Sequence, residues 1–531
     1  MGPSDRPPPA SDGASTETGK RTWATRRTID RWNHVRHLGR GSALDRHLLP
    51  VAFGTFVLLL VMLALRHEPW RDEWQAWVIA RDSSSLGDVL HNSRYEGHPP
   101  LWYFVLWFAS RISRDVVAMQ LVNAAIGVAT AAVVLWRAPF ARAARIAILF
   151  GYFPLYQYGT ISRSYGLGLM LLVVTLAVAA QRPRRPLAVA VPLGLMILTS
   201  AHALLLGAAV AGGLLVDGVV TARADRATLP SRRSVVAASV LLAVCGIVAV
   251  LQIMPPSDGG YGVGLSTPSD ARSQASPLAP VTMAMFVGRK LLPTSRVLGA
   301  LATVVGAIVV AAVAWQVRRR PGALTLWLGA NALLLGLAWF RYVGQIRHWG
   351  HVYLAAIATF WLVESFGEWR GTVPHRPMRW DRVVAYCAIL VLSAQVLFGL
   401  RAVYKDLRLP YSPTPAAAAW IREHDLIDAT LIGWPDEVAM AVAADLDRPM
   451  LFLEQDRVGT FVLWRNDRRR VTSREIVTAV EDRLGDGRPV VVVTKDELHG
   501  SLGPLRHVGS FDDGIISSEP IELYVAEPNG P

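Results

Sequence analysis

The sequence is poor in cysteine and in charged residues. Only two cysteines occur among 531 residues, and both Cys245 and Cys387 lie inside long apolar segments. They provide no metal-ligand spacing and cannot crosslink an external domain, so we interpret them as packing residues. Charged residues make up 18% of the chain and hydrophobic residues 52%, whereas soluble globular proteins carry about 25% charged residues. The composition therefore excludes an ordinary soluble protein and indicates a membrane protein.

Acidic residues are also scarce relative to basic ones, with 41 Asp and Glu against 54 Lys and Arg. The resulting net charge of +13 would suit a nucleic-acid-binding protein. Most of the arginines, however, lie in short runs between apolar stretches, where the positive-inside rule of membrane topology accounts for them. We therefore predict membrane lipids as partners and no nucleic acid.

The sequence shows no cleavable signal peptide and no internal repeat of the solenoid or transporter type. Residues 1–46 are rich in Pro, Ser, Gly and Arg without an apolar run, which predicts a disordered basic cytoplasmic tail. The first apolar run begins only at Leu48 and is long enough to anchor the chain rather than be removed. This pattern predicts a multi-pass protein of the plasma membrane with a cytoplasmic N-terminus.

Long apolar runs predict a polytopic α-helical membrane protein with about eleven transmembrane helices, since a bilayer core requires about 20 apolar residues per helix. The predicted spans are Leu48–Leu65, Val116–Trp136, Ala143–Gly159, Tyr165–Ala180, Pro186–Ser200, Ala203–Val220, Val235–Met254, Val297–Val317, Leu324–Phe340, Val352–Phe366 and Val383–Leu400. Together they define a transmembrane domain over residues 47–400.

The apolar segment Pro99–Ala109 decides the topology. It is too short to cross the bilayer comfortably, and its aromatic residues suit a helix at the membrane interface. If it does not span, the arginine-rich loops fall on the cytoplasmic side, as the positive-inside rule requires. The segment then belongs to a long first external loop, residues 67–115. Residues 401–531 follow on the same outer side.

Residues 401–531 are predicted to form an extracytoplasmic α/β domain. Strand-like runs occur at Thr430–Gly433, Pro449–Leu453, Pro489–Thr494 and Ile521–Ala526. Helical patterns lie at Thr414–Glu423, Asp436–Leu446 and Ser473–Leu484.

The strongest candidate for chemistry is the segment EPWRDEW, residues 68–74. Its adjacent carboxylates, Asp72 and Glu73, follow the first span directly and are flanked by tryptophans. A low-dielectric surface and a neighbouring like charge raise the pKa of a carboxyl group, which suits a general base. The pair could equally coordinate a divalent cation. The alternative is that both acids are merely solvated beside an interfacial tryptophan belt.

Three further segments place polar residues at the predicted outer face. Glu96 and His98 precede a Pro–Pro pair in YEGHPPLWYF, and Arg163 and Tyr165 occur in the turn SRSYG. The segment RYVGQIRHWGHVY contributes Arg341, Arg347, His348 and His351. Guanidinium groups could bind a phosphate, although snorkelling and interfacial anchoring are equally ordinary roles for such residues.

Taken together, the external carboxylates and cations predict glycosyl transfer from a lipid phosphate. A base would take the proton of an acceptor hydroxyl, cations would stabilise the departing phosphate, and direct displacement would invert the anomeric centre. A membrane transporter or lipid flippase is the main alternative, and it would be expected to show repeats and charges near the membrane midplane. A third hypothesis is that the protein is a scaffold without catalytic activity.

The motifs RDEW, EGHPPLWYF and SRSYGLGLML, in this order among the spans, resemble those of the GT-C glycosyltransferases. The likeness is to the bacterial protein O-mannosyltransferase and aminoarabinose-transferase superfamily, and it covers roughly residues 48–366. It implies the GT-C fold and a polyprenyl-phosphate sugar donor, with a glycan, lipid or protein as acceptor and often no metal. It also implies a role for the external domain in acceptor recognition or structure. The Arg- and Ala-rich composition is typical of high-GC bacteria such as actinobacteria. Mannosyl and arabinosyl donors are common in that group, so mannose and arabinose are candidate sugars.

The resemblance also implies roles for individual residues. Asp72 matches the catalytic acid of the first external loop, and Glu73 is its usual neighbour. His98 stands where some members carry a phosphate-contacting lysine, and Arg163 matches a variable charged position. His202, in the segment TSAH, matches a turn that carries Lys or His in relatives.

Overall fold

The computed structural model describes residues 43–181, 185–224, 230–260, 278–287, 296–342, 344–365 and 379–528. Most of the predicted N-terminal tail lies outside these ranges. The chain divides into two compact units, Met1–Thr55 and Phe56–Pro531. The described part of the first unit is the beginning of the helix Ala43–Arg66. The cavity and the side-chain contacts described below belong to the second unit.

Helices account for most of the described chain. After Ala43–Arg66 they are Arg71–Asp82, Leu86–Ser93, Leu101–Ile112, Val117–Arg137, Arg142–Leu149, Ser164–Ala179, Pro186–Ile197, Ala201–Ala224, Arg232–Ile253, Ala279–Phe286, Arg296–Val317, Pro321–Phe340, Ile346–Ser365, Arg379–Asp406, Thr414–Glu423, Asp436–Asp445 and Ser473–Leu484. A 3-10 turn spans Arg94–Glu96 and a π-helix spans Tyr152–Gln157.

Seven helices in the described ranges are long and apolar enough to cross a membrane. These stretches are His47–Arg66, Val117–Arg137, Ala201–Arg223, Arg232–Ile253, Val297–Val317, Pro321–Phe340 and Arg382–Asp406. Their outward faces are apolar as well. On Arg232–Ile253, the exposed side chains Val236, Val240, Val244, Ile247 and Leu251 follow a helical stripe. An apolar surface of this kind is stable only against lipid or a protein partner, so the described chain has the features of a polytopic membrane protein.

The predicted span Ala143–Gly159 is not one helix. The structure has an eight-residue helix, Arg142–Leu149, followed after Gly151 by the π-helix Tyr152–Gln157. Eight residues rise only about 12 Å, far less than the ~30 Å of a bilayer core. Pro154 removes a backbone N–H within the second piece, which explains why the apolar pattern does not continue as a regular helix. The prediction of a continuous span here is wrong, and the total of eleven spans stays a prediction.

Close helix packing relies on glycine at one prominent contact. The helices Ala201–Ala224 and Pro321–Phe340 lie against each other, and a Cβ atom added to Gly213 would meet the carbonyl oxygen of Gly322 at 2.7 Å. Small residues at such a crossing let two backbones approach, which is a common basis of helix association in membranes.

The predicted first external loop, residues 67–115, folds into short helices rather than a span. Leu101–Ile112 has 12 residues and rises about 18 Å, too little to cross a bilayer. It packs on Arg71–Asp82 and buries Trp102, Tyr103 and Leu106.

The C-terminal α/β region contains one six-stranded sheet. Its strands are β1 (Thr430–Trp434), β2 (Met450–Phe452), β3 (Arg457–Gly459), β4 (Val490–Thr494), β5 (Arg506–Phe511) and β6 (Ile521–Ala526). The order across the sheet is β3-β2-β1-β4-β6-β5, with β1 parallel to β2 and β4 and the other pairs antiparallel. The four predicted strands and three predicted helices coincide with observed elements to within about two residues, while β3 and β5 were not predicted.

Specific contacts join this α/β region to the first external loop. The Gln75 side chain donates to the carbonyl of Val462 at 2.6 Å and accepts from the N–H of the same residue at 3.1 Å. Arg71 pairs with Glu519 at 3.2 Å. These contacts bring a segment of the α/β region against the helix that carries Asp72.

Candidate active site

A cavity of about 460 Å³ opens beside the helix Arg71–Asp82, and we call it the Asp72 cavity. Its walls come from the first external loop, the turn before Ser164, the start of the helix at Ala201, the start of the helix at Ile346 and the C-terminal α/β region. It brings together nine of the eleven residues singled out from the sequence, all except Glu73 and His351. These are Asp72, Glu96, His98, Arg163, Tyr165, His202, Arg341, Arg347 and His348.

Asp72 sits in the first turn of its helix, where a carboxylate is favoured by the helix dipole. Its Oδ2 lies 3.4 Å from Nη1 of Arg163 and 3.3 Å from Nη2 of Arg347. Burial by itself would raise the pKa of Asp72, but the charges of Arg163, Arg347 and Arg71 outweigh it and hold the pKa below its usual value. Asp72 is therefore ionised at neutral pH and faces two cations.

Glu73 lies outside the cavity lining. Its carboxylate is fully buried and accepts hydrogen bonds from the Ser162 N–H at 2.5 Å and from Nε2 of His67 at 3.1 Å. Nδ1 of His67 lies 3.0 Å from Asp406, which is also buried. Glu73 thus holds the loop of Ser162 and Arg163 against the helix that carries Asp72.

Arg163 stands at the N-cap of the helix Ser164–Ala179, in extended backbone conformation. One of its guanidinium nitrogens also donates to the backbone carbonyl of Asp72. Burial would lower the pKa of Arg163, but Asp72 raises it above the usual value, so the guanidinium stays charged. Two residues on, the buried hydroxyl of Tyr165 lines the cavity and has no hydrogen-bond partner among the described residues.

Arg347 and His348 lie in the first turn of the helix Ile346–Ser365. The Gln345 N–H donates to Nδ1 of His348 at 2.8 Å, which fixes this helix start. The His348 ring stacks on His202 with centroids 4.7 Å apart, and the Arg347 guanidinium lies 5.0 Å from the centre of the Trp70 ring. The two histidines therefore reach one wall of the cavity from different helices.

A tight contact behind Arg347 yields a first prediction. Tyr158 donates a hydrogen bond to the Arg347 carbonyl at 2.7 Å, and a Cβ atom on Gly350 would overlap the Tyr158 hydroxyl and the Phe153 ring. We expect Gly350→Ala to lower the midpoint of thermal unfolding, because overpacking costs about 1–3 kcal/mol. The matched control is Gly336→Ala, since Gly336 has open space around its Cα. Equal midpoints for the two variants in detergent would contradict this account of the packing.

Glu96 and His98 flank Gly97, whose φ of 64° allows the sharp turn between them. Glu96 accepts from Nε2 of Gln75 at 2.8 Å, and loss of solvent raises the pKa of Glu96 to about 7. Burial and the charge of Arg163 lower the pKa of His98 to about 3. His98 is therefore neutral at neutral pH, and it offers the cavity a hydrogen bond rather than a positive charge.

A metal site at Asp72 and Glu73 receives no geometric support. Their carboxylates are turned toward different partners, Arg163 and Arg347 for Asp72 and His67 and Ser162 for Glu73. Within the described residues, no group of three or more His, Cys, Asp or Glu side chains is arranged to hold an ion.

The cavity also contains residues that the sequence reasoning missed. Glu437 and Trp464 come from the C-terminal α/β region, and Gln75 lies one helical turn after Asp72. The spacing of Asp72 and Gln75 on one helix face was readable from the sequence. Nothing local in the sequence connects Glu437 or Trp464 with a helix more than 300 positions earlier.

Comparison with known proteins gives little further guidance. No protein-family model matches the sequence, and no curated protein matches it. Among solved structures, a cryo-EM structure of a mutant of the arabinofuranosyltransferase AftD from Mycobacteria is similar, with a TM-score of 0.37 and 16% sequence identity. The match covers 92% of this chain and 42% of that chain, so this chain spans less than half the length of that protein. A likeness at this level does not assign the chain to a family.

Proposed function

We propose that this chain is a membrane glycosyltransferase of the GT-C type, which transfers a sugar from a polyprenyl-phosphate donor to an extracytoplasmic acceptor. The supporting observation is the position of one carboxylate, Asp72, between two guanidinium groups in a single cavity. The carboxylate is suited to take a proton, and the guanidinium groups are suited to bind a phosphate.

The reaction that fits these groups is a single displacement. The acceptor oxygen forms a bond to the anomeric carbon, while the bond from that carbon to the phosphate oxygen breaks. The electron pair leaves with the phosphate, whose developing charge Arg163 and Arg347 stabilise. Asp72 receives the acceptor's proton, and the anomeric configuration inverts. Glu73 holds the loop that carries Arg163 in place.

Donor binding would make Asp72 a better base. In the free protein both guanidinium groups are engaged with Asp72, which holds its pKa low and its basicity weak. A phosphate bound to Arg163 and Arg347 shares their positive charge and brings a negative charge of its own. Both effects raise the pKa of Asp72 toward the range in which a general base is efficient.

The setting is suited to a lipid-linked donor. Apolar helices adjoin the cavity, and they would accommodate a prenyl tail while its phosphate reaches the arginines. The positive-inside rule places this side of the protein outside the cytoplasm, with the C-terminal α/β region. Tyr165, His98, His202 and His348 add hydrogen-bonding groups around the phosphate. The proposal covers hexosyl and pentosyl donors, including mannose and arabinose.

Donor binding tests the proposal. The purified protein in detergent would be offered polyprenyl-phosphate sugars and, in parallel, nucleotide sugars. We expect binding of the lipid-linked donors, and we expect Arg347→Gln to weaken it about 10- to 100-fold because a charge-assisted hydrogen bond is lost. Loss of the Arg347 charge also raises the pKa of Asp72, so the acid limb of kcat/KM should move to higher pH.

The control variant is Arg422→Gln, which removes an exposed arginine paired with Asp445 at 2.7 Å. It should leave donor binding unchanged. Binding of nucleotide sugars alone would contradict the proposed donor class. Binding of no sugar donor at all would favour a transporter or lipid flippase.

A further inference from the structure

We infer that the wall of the Asp72 cavity formed by Glu96, Glu437 and Trp464 binds the acceptor, and that the acceptor is a neutral sugar unit of a glycan. This inference rests on the proposed function and specifies its second substrate. It also gives the C-terminal α/β region a direct part in the reaction.

The cavity lining contains two chemically different sets of groups. Arg163, Arg341 and Arg347 contribute guanidinium groups, and Glu96 and Glu437 contribute carboxyl groups. A phosphate is attracted to the guanidinium groups and repelled by an ionised carboxylate. The hydroxyl groups of a neutral sugar can donate hydrogen bonds to carboxyl oxygens at no such cost. The lining therefore offers groups for an anionic donor and, separately, groups for a neutral, hydroxyl-rich acceptor.

The acceptor wall is fixed in place before any ligand binds. The Trp464 indole donates a hydrogen bond to Glu96, and the Trp464 carbonyl accepts from the Gly260 N–H at 2.6 Å. The guanidinium of Arg468 lies 4.7 Å from the Trp464 ring centre and also binds Glu437 at 2.8 Å. An aromatic ring beside fixed hydrogen-bonding groups presents both an apolar surface and polar contacts, which is how specific small-molecule sites are built.

The same wall lies next to the proposed base. Asp72 and Gln75 are one turn apart on a single helix, and residues at this spacing have Cβ atoms about 5–6 Å apart. Gln75 binds Glu96 at 2.8 Å and both backbone groups of Val462. A hydroxyl held by Glu96 is thus placed within reach of the carboxylate that would take its proton.

A glycan fits this wall better than the other two acceptors implied by the sequence. An anionic lipid head group would meet the Glu437 carboxylate with the wrong charge. A Ser or Thr side chain of a peptide would present a single hydroxyl donor to the two carboxyl groups. A sugar ring offers several hydroxyl donors together with an apolar face for the indole.

The experiment measures acceptor and donor binding separately on the full-length protein in detergent. The acceptor probes are neutral manno- and arabino-oligosaccharides, a Ser/Thr-containing peptide and an anionic phospholipid. We expect the neutral oligosaccharides to bind, and we expect Glu437→Gln and Trp464→Leu each to weaken that binding about tenfold or more. Trp464→Phe keeps a ring but loses the hydrogen bond to Glu96, so it should have an intermediate effect.

The matched control is Glu454→Gln. Glu454 also binds Arg468 but lies outside the cavity lining, so its variant should bind the oligosaccharide as the wild type does. Equal weakening by the Glu437 and Glu454 variants would show a structural effect and overturn the inference. The inference would also be overturned if the peptide or the phospholipid bound more tightly than the neutral oligosaccharides, or if none of the probes bound. Donor binding by the same samples shows independently whether the proposed function stands.

Discussion

Replacing Asp72 with asparagine is expected to lower kcat for sugar transfer by about 10²- to 10⁴-fold, the usual contribution of a general base. The change keeps the shape of the side chain but removes the group that accepts the proton. Donor affinity should not fall, because asparagine no longer competes with a phosphate for Arg163 and Arg347. Transfer and donor binding would be measured on the same preparation.

Asp82→Asn is the control for this variant. Asp82 lies at the other end of the same helix, and its carboxylate pairs with Arg81 at 2.8 Å and Arg114 at 3.1 Å. The control should retain wild-type transfer. If Asp72→Asn transferred sugar at the wild-type rate, Asp72 would not be the base. If it lost donor binding instead, its role would be structural.

Replacing His67 with glutamine is expected to cause the largest loss of stability. The His67 ring lies between two buried carboxylates, with Glu73 at 3.1 Å and Asp406 at 3.0 Å. Removing the cation leaves two buried negative charges without compensation, which costs about 3–5 kcal/mol. The midpoint of thermal unfolding in detergent measures the effect.

A triple variant, His67→Gln with Glu73→Gln and Asp406→Asn, tests whether the loss of stability comes from the uncompensated charges. It removes both carboxylates together with the imidazole, so it should recover much of the lost stability. A triple variant as unstable as His67→Gln alone would show that the shape of the imidazole matters more than its charge.

The same cluster gives a pH dependence of stability. Burial alone would lower the pKa of His67, but Glu73 and Asp406 raise it from 6.5 to about 10 in the folded protein. The contribution of His67 to stability is therefore fully present below about pH 6.5 and is lost as the pH rises toward 10. The wild-type unfolding midpoint should fall over this interval, and that of the triple variant should change less.

The sequence predicted those parts of the structure that are determined locally. Apolar runs of about 20 residues identify helices by length alone, and short strand-like apolar runs in the C-terminal α/β region located β1, β2, β4 and β6. The strands β3 and β5 carry no such run, because most of their side chains are partly or fully exposed. The broken segment 142–157 was missed because apolar composition does not distinguish a continuous helix from two packed pieces.

For the candidate site as well, the sequence identified residues in local motifs but not the residues that reach the site through long-range packing. Asp72, Arg163 and Arg347 were recognisable because they lie in short polar segments at the predicted outer ends of apolar runs. Glu73 was grouped with Asp72 because the two are adjacent, yet neighbours on a helix point about 100° apart and reach different surroundings. Glu437 and Trp464 depend on long-range packing through Gln75 and Val462, which no local pattern encodes.

One measurement tests the central claim most directly. The protein would be reconstituted in liposomes with a polyprenyl-phosphate sugar carrying label in both the sugar and the lipid, together with a neutral oligosaccharide. The account predicts that free polyprenyl phosphate and glycosylated oligosaccharide appear in equal amounts, with no product from Asp72→Asn. The account would be contradicted if the intact donor, with its sugar still attached, crossed the bilayer at the same rate with the wild type and with Asp72→Asn.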